Sequence, residues 1–143
     1  MTLETIRVKQ SFDASSGDLW EAITKPEKMR QWFFHQIRDF KTEKAFETSF
    51  DVEFDGKKFT HLWRVSEVIP GEKIIYDWSY DGFQGKAKVS FKIYASASES
   101  SLVLTHEIVE PFPVEEPAFS LESTKVGWEY LLSKNLKEYI DYA

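Results

Sequence analysis

The sequence predicts an α+β fold in which a curved antiparallel sheet grips a long C-terminal helix. Three observations carry that expectation. One strand precedes a pair of short helices, a run of alternating strands fills the middle of the chain, and the apolar period changes to that of a helix near the end. At 143 residues the chain has the size of one domain, residues 1–143, and can bury most of its apolar surface without covalent staples.

Leu3 to Phe12 alternates, with Ile6, Val8 and Phe12 set against Thr5, Arg7, Lys9 and Ser11, the period of a half-buried strand. Ser15 and Ser16 offer hydroxyls to the exposed amides of a helix start, and Leu19, Trp20, Ala22 and Ile23 follow at helical spacing to about Thr24. Pro26 cannot continue that helix but suits the first turn of another. The segment PEKMRQWF therefore predicts a second short helix that brings Met29, Trp32 and Phe33 together. From Ile37 to Ile108 the pattern predicts an antiparallel meander punctuated by Asp55-Gly56, Pro70-Gly71, Asp81-Gly82 and the serine-rich 95–101 stretch. Its inward parities are Phe50, Val52, Phe54; Phe59, His61, Trp63, Val65; Ile74, Tyr76, Trp78, Tyr80; Ala87, Val89, Phe91, Ile93; and Leu102, Leu104, His106, Ile108.

EPFPVEEP then predicts an ordered loop, with Pro117 and Ser120 as stop and cap. Beyond it Leu121, Trp128, Leu131, Leu132, Leu136 and Tyr139 share one arc of a helix whose other side carries Lys134, Lys137, Glu138 and Asp141. There is no internal repeat or linker.

Composition narrows the function. The longest apolar runs are only a few residues, too short for a membrane span, and MTLETIRVKQSF lacks the pattern of a signal or transit peptide, so a cytoplasmic location is expected. There is no cysteine, which removes disulfides, thiolate metal sites and cysteine nucleophiles. The 24 acidic and 18 basic side chains leave a net charge of -6 that repels phosphate backbones, so nucleic acid is not an expected partner. The 12 Phe, 5 Trp and 6 Tyr make up 16% of the chain and must share one interior or line one hollow.

Phe12 with Trp20, the Lys25-Pro26-Glu27 step before Trp32, WRVSEVIPGEKIIYDW from Trp63 to Trp78, LVLTH ending at His106, and GWEYLLSKNLKEYI from Gly127 to Ile140 carry a resemblance over essentially the whole chain. They resemble the family of single-domain proteins similar to the C-terminal domain of the activator of the Hsp90 ATPase, within the START/Bet v 1-like superfamily. The resemblance implies a helix-grip fold with a hydrophobic cavity between sheet and helix. In related proteins that cavity accepts lipids, sterols, polyketides or other apolar molecules. Trp63 stands where many family members place the glycine of G-x-V-x-E-V-x-P, so its indole intrudes on space that a small residue would leave.

Three polar or special positions stand out. Gly127 costs about 1 kcal/mol relative to alanine inside a helix; either close helix–sheet approach or room for a ligand beside Trp128 compensates, and close approach is the favoured reading. His106 alternates inward with Leu102 and Leu104, where an imidazole either orients a ligand or is a core group bonded to a backbone carbonyl or a tyrosine. His61 shares the parity of Phe59 and Trp63, whereas His35 is expected at the surface. These histidines have no metal-ligand spacing, so neither a metal nor a cofactor is expected. Glu67 is expected at a strand irregularity and Glu72 in the Pro70-Gly71 turn, neither placed as a catalytic base. Motifs of the G-x-S-x-G, P-loop, G-x-G-x-x-G and H-E-x-x-H types are absent.

Three functional readings follow. The first is non-catalytic binding of a small apolar or amphipathic ligand by Trp32, Phe33, Trp63, Tyr76, Trp78, Phe91, His106, Phe112, Trp128 and Leu132. The second is a protein-interaction role, as a chaperone partner or a homodimer, which an exposed patch around Trp32, Phe33 and Phe34 would favour. The third is a cyclase, dehydratase or hydrolase with His106 as acid and base.

Overall fold

Alternation of Ile6 and Val8 with Arg7 and Lys9 makes β1 (Thr5–Phe12) an edge strand with one buried face. The computed structural model describes residues 4–96 and 98–141. Leu3, expected at the start of the first strand, and Ala97, within the serine-rich turn, lie outside the described residues. After β1 come α1 (Ser16–Thr24) and α2 (Pro26–Trp32), then β2 (Glu47–Phe54), β3 (Lys57–Ile69), β4 (Lys73–Tyr80), β5 (Lys86–Ala95) and β6 (Ser100–Glu110). The strands form one curved antiparallel sheet of order β1-β6-β5-β4-β3-β2, as the alternation and short turns predict.

Local chemistry accounts for the helix boundaries. The Ser15 side chain accepts from the amide of Asp18, which caps α1, and Pro26 opens α2. The Trp32 indole N–H donates to the carbonyl of Ala22 at 2.7 Å, locking the two helices together. The second helix ends at Trp32 rather than Phe33, because the backbone turns at Phe33 (φ -95, ψ -97).

Residues 37–46, expected to open the meander, are not strand. Ile37 and Phe40 instead serve as buried anchors of an irregular connection, with Phe40 edge-on to Tyr76 at 5.6 Å. The Asp55-Gly56 turn has both residues at positive φ (52 and 76), the geometry that joins β2 to β3 in register. Glu67 sits at a register shift opposite β4, and the Glu72 amide closes the Pro70-Gly71 turn on Ile69 at 2.9 Å, as their sequence contexts predict.

The C-terminal helix begins at α3 (Leu121–Tyr130), capped by the Ser120 hydroxyl accepting from the Ser123 amide. It continues through a π-helical stretch, Leu131–Leu136, into α4 (Lys137–Asp141) without leaving helical backbone angles at either junction. Trp128, Leu132 and Leu136 are buried on the sheet side. Leu121, expected on that arc, is 40% exposed in the first turn of α3, where it borders a cleft with Pro111 and Phe112. No helix among the described residues is long and apolar enough to cross a membrane.

Gly85, in the connection from β4 to β5, has a φ of 110, and a Cβ there would fall 2.8 Å from the Cα of Phe112. Neither that backbone conformation nor that contact admits a side chain. Gly85→Ala is expected to cost about 1–3 kcal/mol, read as a lower urea midpoint with an unchanged slope. It would also displace Phe112, whose ring packs against Phe119 at 5.5 Å.

Candidate functional site

Strand parity aims Phe59, His61 and Trp63 of β3, Trp78 and Tyr80 of β4 and His106 of β6 at the concave face. The deeper part of that face is solid aromatic packing. Trp63 stands 4.8 Å from Tyr76, 5.2 Å from Trp78 and 5.4 Å from Phe33, measured between ring centroids. Trp128 closes the cluster from the helix at 5.6 Å from Phe33 and 5.8 Å from Phe91.

Nearer the start of the C-terminal helix the packing opens into a cavity of about 300 Å³. Its walls are Phe59, His61, Trp78, Tyr80 and His106 from the sheet, Phe34 from the chain after α2, and Phe119 before α3. Ser123, Thr124, Gly127, Trp128 and Tyr130 complete it from the helix, with Leu131 beyond. A Cβ added at Gly127 would meet no atom within 4 Å. Close helix–sheet approach, the reading favoured from sequence, therefore does not explain this glycine, which is exposed at the rim where the cavity meets an outer cleft lined by Val126 and Tyr130.

Both inward histidines are buried, at 5% exposure each. Burial lowers each imidazole from 6.5 to about 4; at His61 a bond to the Phe59 carbonyl opposes that shift in part. The two rings are therefore neutral near pH 7. The Trp128 indole N–H donates to His106 Nδ1 at 3.0 Å, a partner different from the carbonyl or tyrosine expected. At His61, Nδ1 lies 3.2 Å from the Phe59 carbonyl oxygen and donates to it. Tyr80 accepts from the Trp78 indole N–H at 2.9 Å, and burial pushes its hydroxyl up to about 12. The described residues lining the cavity include no Asp, Glu, Lys or Arg.

Of the residues expected to touch a ligand, Trp78, His106 and Trp128 line this cavity. Trp32, Phe33, Trp63, Tyr76, Phe91 and Leu132 are packed in the core beneath it, since the Trp63 indole and the Phe33 ring fill the space that would connect them. Phe112 lines a separate cleft with Pro111 and Leu121, its ring edge-on to Tyr80 at 5.8 Å. His35 is exposed. Phe34, considered from sequence only as part of an exposed patch, follows α2 in an irregular segment, and Phe119, which the sequence did not single out, ends a short 3-10 turn, Pro117–Phe119. Phe59 carried an inward parity and could have been chosen by it.

Comparison with known proteins agrees with this architecture. The profile of the family described as "Activator of Hsp90 ATPase homolog 1-like protein" matches residues 13–141. A crystal structure of DynU16, a protein of the dynemicin biosynthetic locus, superposes with a TM-score of 0.74 at 24% identity, over 96% of this chain and 47% of that one. This chain thus spans about half of that protein's length. The Aha1 dimer of Colwellia psychrerythraea (TM-score 0.69, 16% identity, 96% of each chain) and a START superfamily protein of Mycobacterium smegmatis (0.70, 17%, 96% of this chain and 97% of that one) share the fold. No curated protein sequence matches. With a family profile covering nearly its whole length and a curved six-stranded sheet around a C-terminal helix, the chain belongs to the Activator of Hsp90 ATPase homolog 1-like family and has the START/Bet v 1-like helix-grip fold.

Proposed function

We propose that this protein binds a small hydrophobic or amphipathic molecule, without converting it, in the cavity between the sheet and the C-terminal helix. The observation that carries this reading is the cavity of about 300 Å³ bordered by Trp78, His106 and Trp128 beside an otherwise close-packed aromatic interior. A volume of about 300 Å³ is at the lower end of ordinary ligand pockets. The state of His106 supports a non-catalytic role: burial holds its ring neutral, its Nδ1 is engaged by Trp128, and no carboxylate is bonded to it.

A second reading, docking of a protein partner or a second copy, draws on Val126, Tyr130 and Phe54. These are 60%, 54% and 49% exposed beside the mouth of the cavity. The patch considered from sequence gives it no support, since Trp32 and Phe33 are buried and Phe34 faces the cavity.

Gly127→Leu distinguishes the two. Its side chain would crowd the rim of the cavity while removing the helix penalty of glycine, so the fold should be retained. Native mass spectrometry with organic extraction should recover a bound apolar compound from the wild type and none from the variant. Retention of that compound by the folded variant would place the ligand elsewhere, and docking of a second copy or protein on the outer cleft, which Gly127 also lines, would show in the native mass of the wild type with no extracted compound.

A further inference from the structure

His61 and His106 line the same cavity, yet their hydrogen bonds give them opposite polarity. The Phe59 carbonyl can only accept, so the proton of neutral His61 is on Nδ1 and its Nε2 presents a lone pair. The Trp128 indole can only donate, so His106 Nδ1 is the acceptor and its Nε2 carries the hydrogen. Neither Nε2 has a hydrogen-bond partner among the described residues. Neither is among the fully buried, unpartnered side-chain atoms of the described residues, which are Trp63 Nε1 and the Tyr76 hydroxyl, and both rings line the cavity. The two rings flank the Trp78 indole, with centroids 5.4 Å and 6.1 Å from it.

We propose that the cavity selects an uncharged, flat molecule that directs a hydroxyl toward His61 and a carbonyl oxygen toward His106, and that it rejects carboxylates. This rests on the binding reading above and adds the chemical class. Trp78, Trp128, Phe34 and Phe119 supply aromatic surface for a flat body. The His61 Nε2 lone pair accepts the ligand hydroxyl, and the His106 Nε2–H donates to its carbonyl. With no cationic side chain on the wall, an ionised carboxylate would lose its hydration without gaining a counter-charge. A site whose buried polar atoms are matched by one ligand leaves them unpaired with an analogue that lacks the group, which gives selectivity of tenfold or more.

Isothermal titration of the wild-type protein at about pH 7, where both imidazoles are neutral, with four compounds of one shape tests the proposal. They are 2-hydroxyfluoren-9-one, 2-methoxyfluoren-9-one, 2-hydroxyfluorene and 9-oxofluorene-2-carboxylate. The first should bind at least about tenfold more tightly than each of the others. His61→Phe should abolish the preference for the hydroxy over the methoxy compound, read as the ratio of their two affinities in the variant. Equal affinity for the hydroxy and methoxy compounds, or tighter binding of the carboxylate, would overturn the polarity assignment and leave the binding reading standing. Absence of binding by all four would remove both. The ligand series decides on the wild-type protein even if His61→Phe fails to fold.

Discussion

Lowering the pH from about 6.5 to 4 should destabilise this protein by several kcal/mol before its carboxylates are fully titrated. His61 and His106 are the cause. In the unfolded chain each takes up a proton near its ordinary value of 6.5, whereas in the folded protein burial delays protonation to about 4. Between those values the unfolded state binds more protons than the native one, so stability is complete above the unfolded value and is lost progressively as the pH falls. A separation of that size is worth about 3 kcal/mol for each ring, against a total stability of about 5–15 kcal/mol for an ordinary domain. No carboxylate lines the cavity to receive an imidazolium, and protonation of His106 Nδ1 would turn the Trp128 bond into two opposed donors. Urea midpoints measured from pH 7.5 to 4.5, bracketing the window, should fall steeply below 6.5 in the wild type and about half as much in His61→Phe. A flat profile across that window would contradict the buried neutral state of both rings.

Trp63→Ala carries the other large effect. The indole is 2% exposed and touches Phe33, Phe40, Phe50, Tyr76 and Trp78. Truncation to alanine in such packing costs about 3–5 kcal/mol, through lost transfer energy and the void left behind. Trp63 Nε1 is buried without a hydrogen-bond partner, so part of the residue already works against the fold. Trp63→Phe, which keeps most of the ring and deletes the orphaned N–H, should therefore cost less than about 1.5 kcal/mol. The pair of variants separates volume from polarity in one denaturation experiment. Equal losses for the two would mean that the indole's shape, not its bulk, holds the cluster.

The sheet was legible because its inward parities are enforced by burial, apart from Phe54, which was expected inward but is 49% exposed at the end of β2. Ala87, Val89, Phe91 and Ile93 alternate with Lys88, Ser90 and Lys92, and Ile74, Tyr76 and Trp78 with the less buried Ile75 and Asp77, so a one-residue slip would expose the whole inward set. The cavity was less legible, since which aromatic side chains fill the interior and which border a space depends on contacts between distant elements. Trp63 and Trp78 share one parity and pair directly across β3 and β4, yet one is filler and the other is wall. Phe34 lies in an irregular segment and Phe119 in a single 3-10 turn, too short for a period to mark its inward side. The opposite tautomers of His61 and His106 follow from their Phe59 and Trp128 partners, and the Trp128 contact joins residues 22 positions apart.

The slow winding of the helix at Leu131–Leu136 has a consequence for how this architecture can diversify. Trp128, Leu132 and Leu136 recur every four residues, which overshoots an ordinary turn of 3.6 and would carry the stripe progressively off the sheet. The wider π turns take up that excess, so all three stay buried. The helix thereby behaves as two segments joined by a slip coupling. Gly127 and Tyr130, on one side of the coupling, can drift in size and chemistry to suit new occupants, while Leu132 and Leu136 hold their seats in the barrel of the grip.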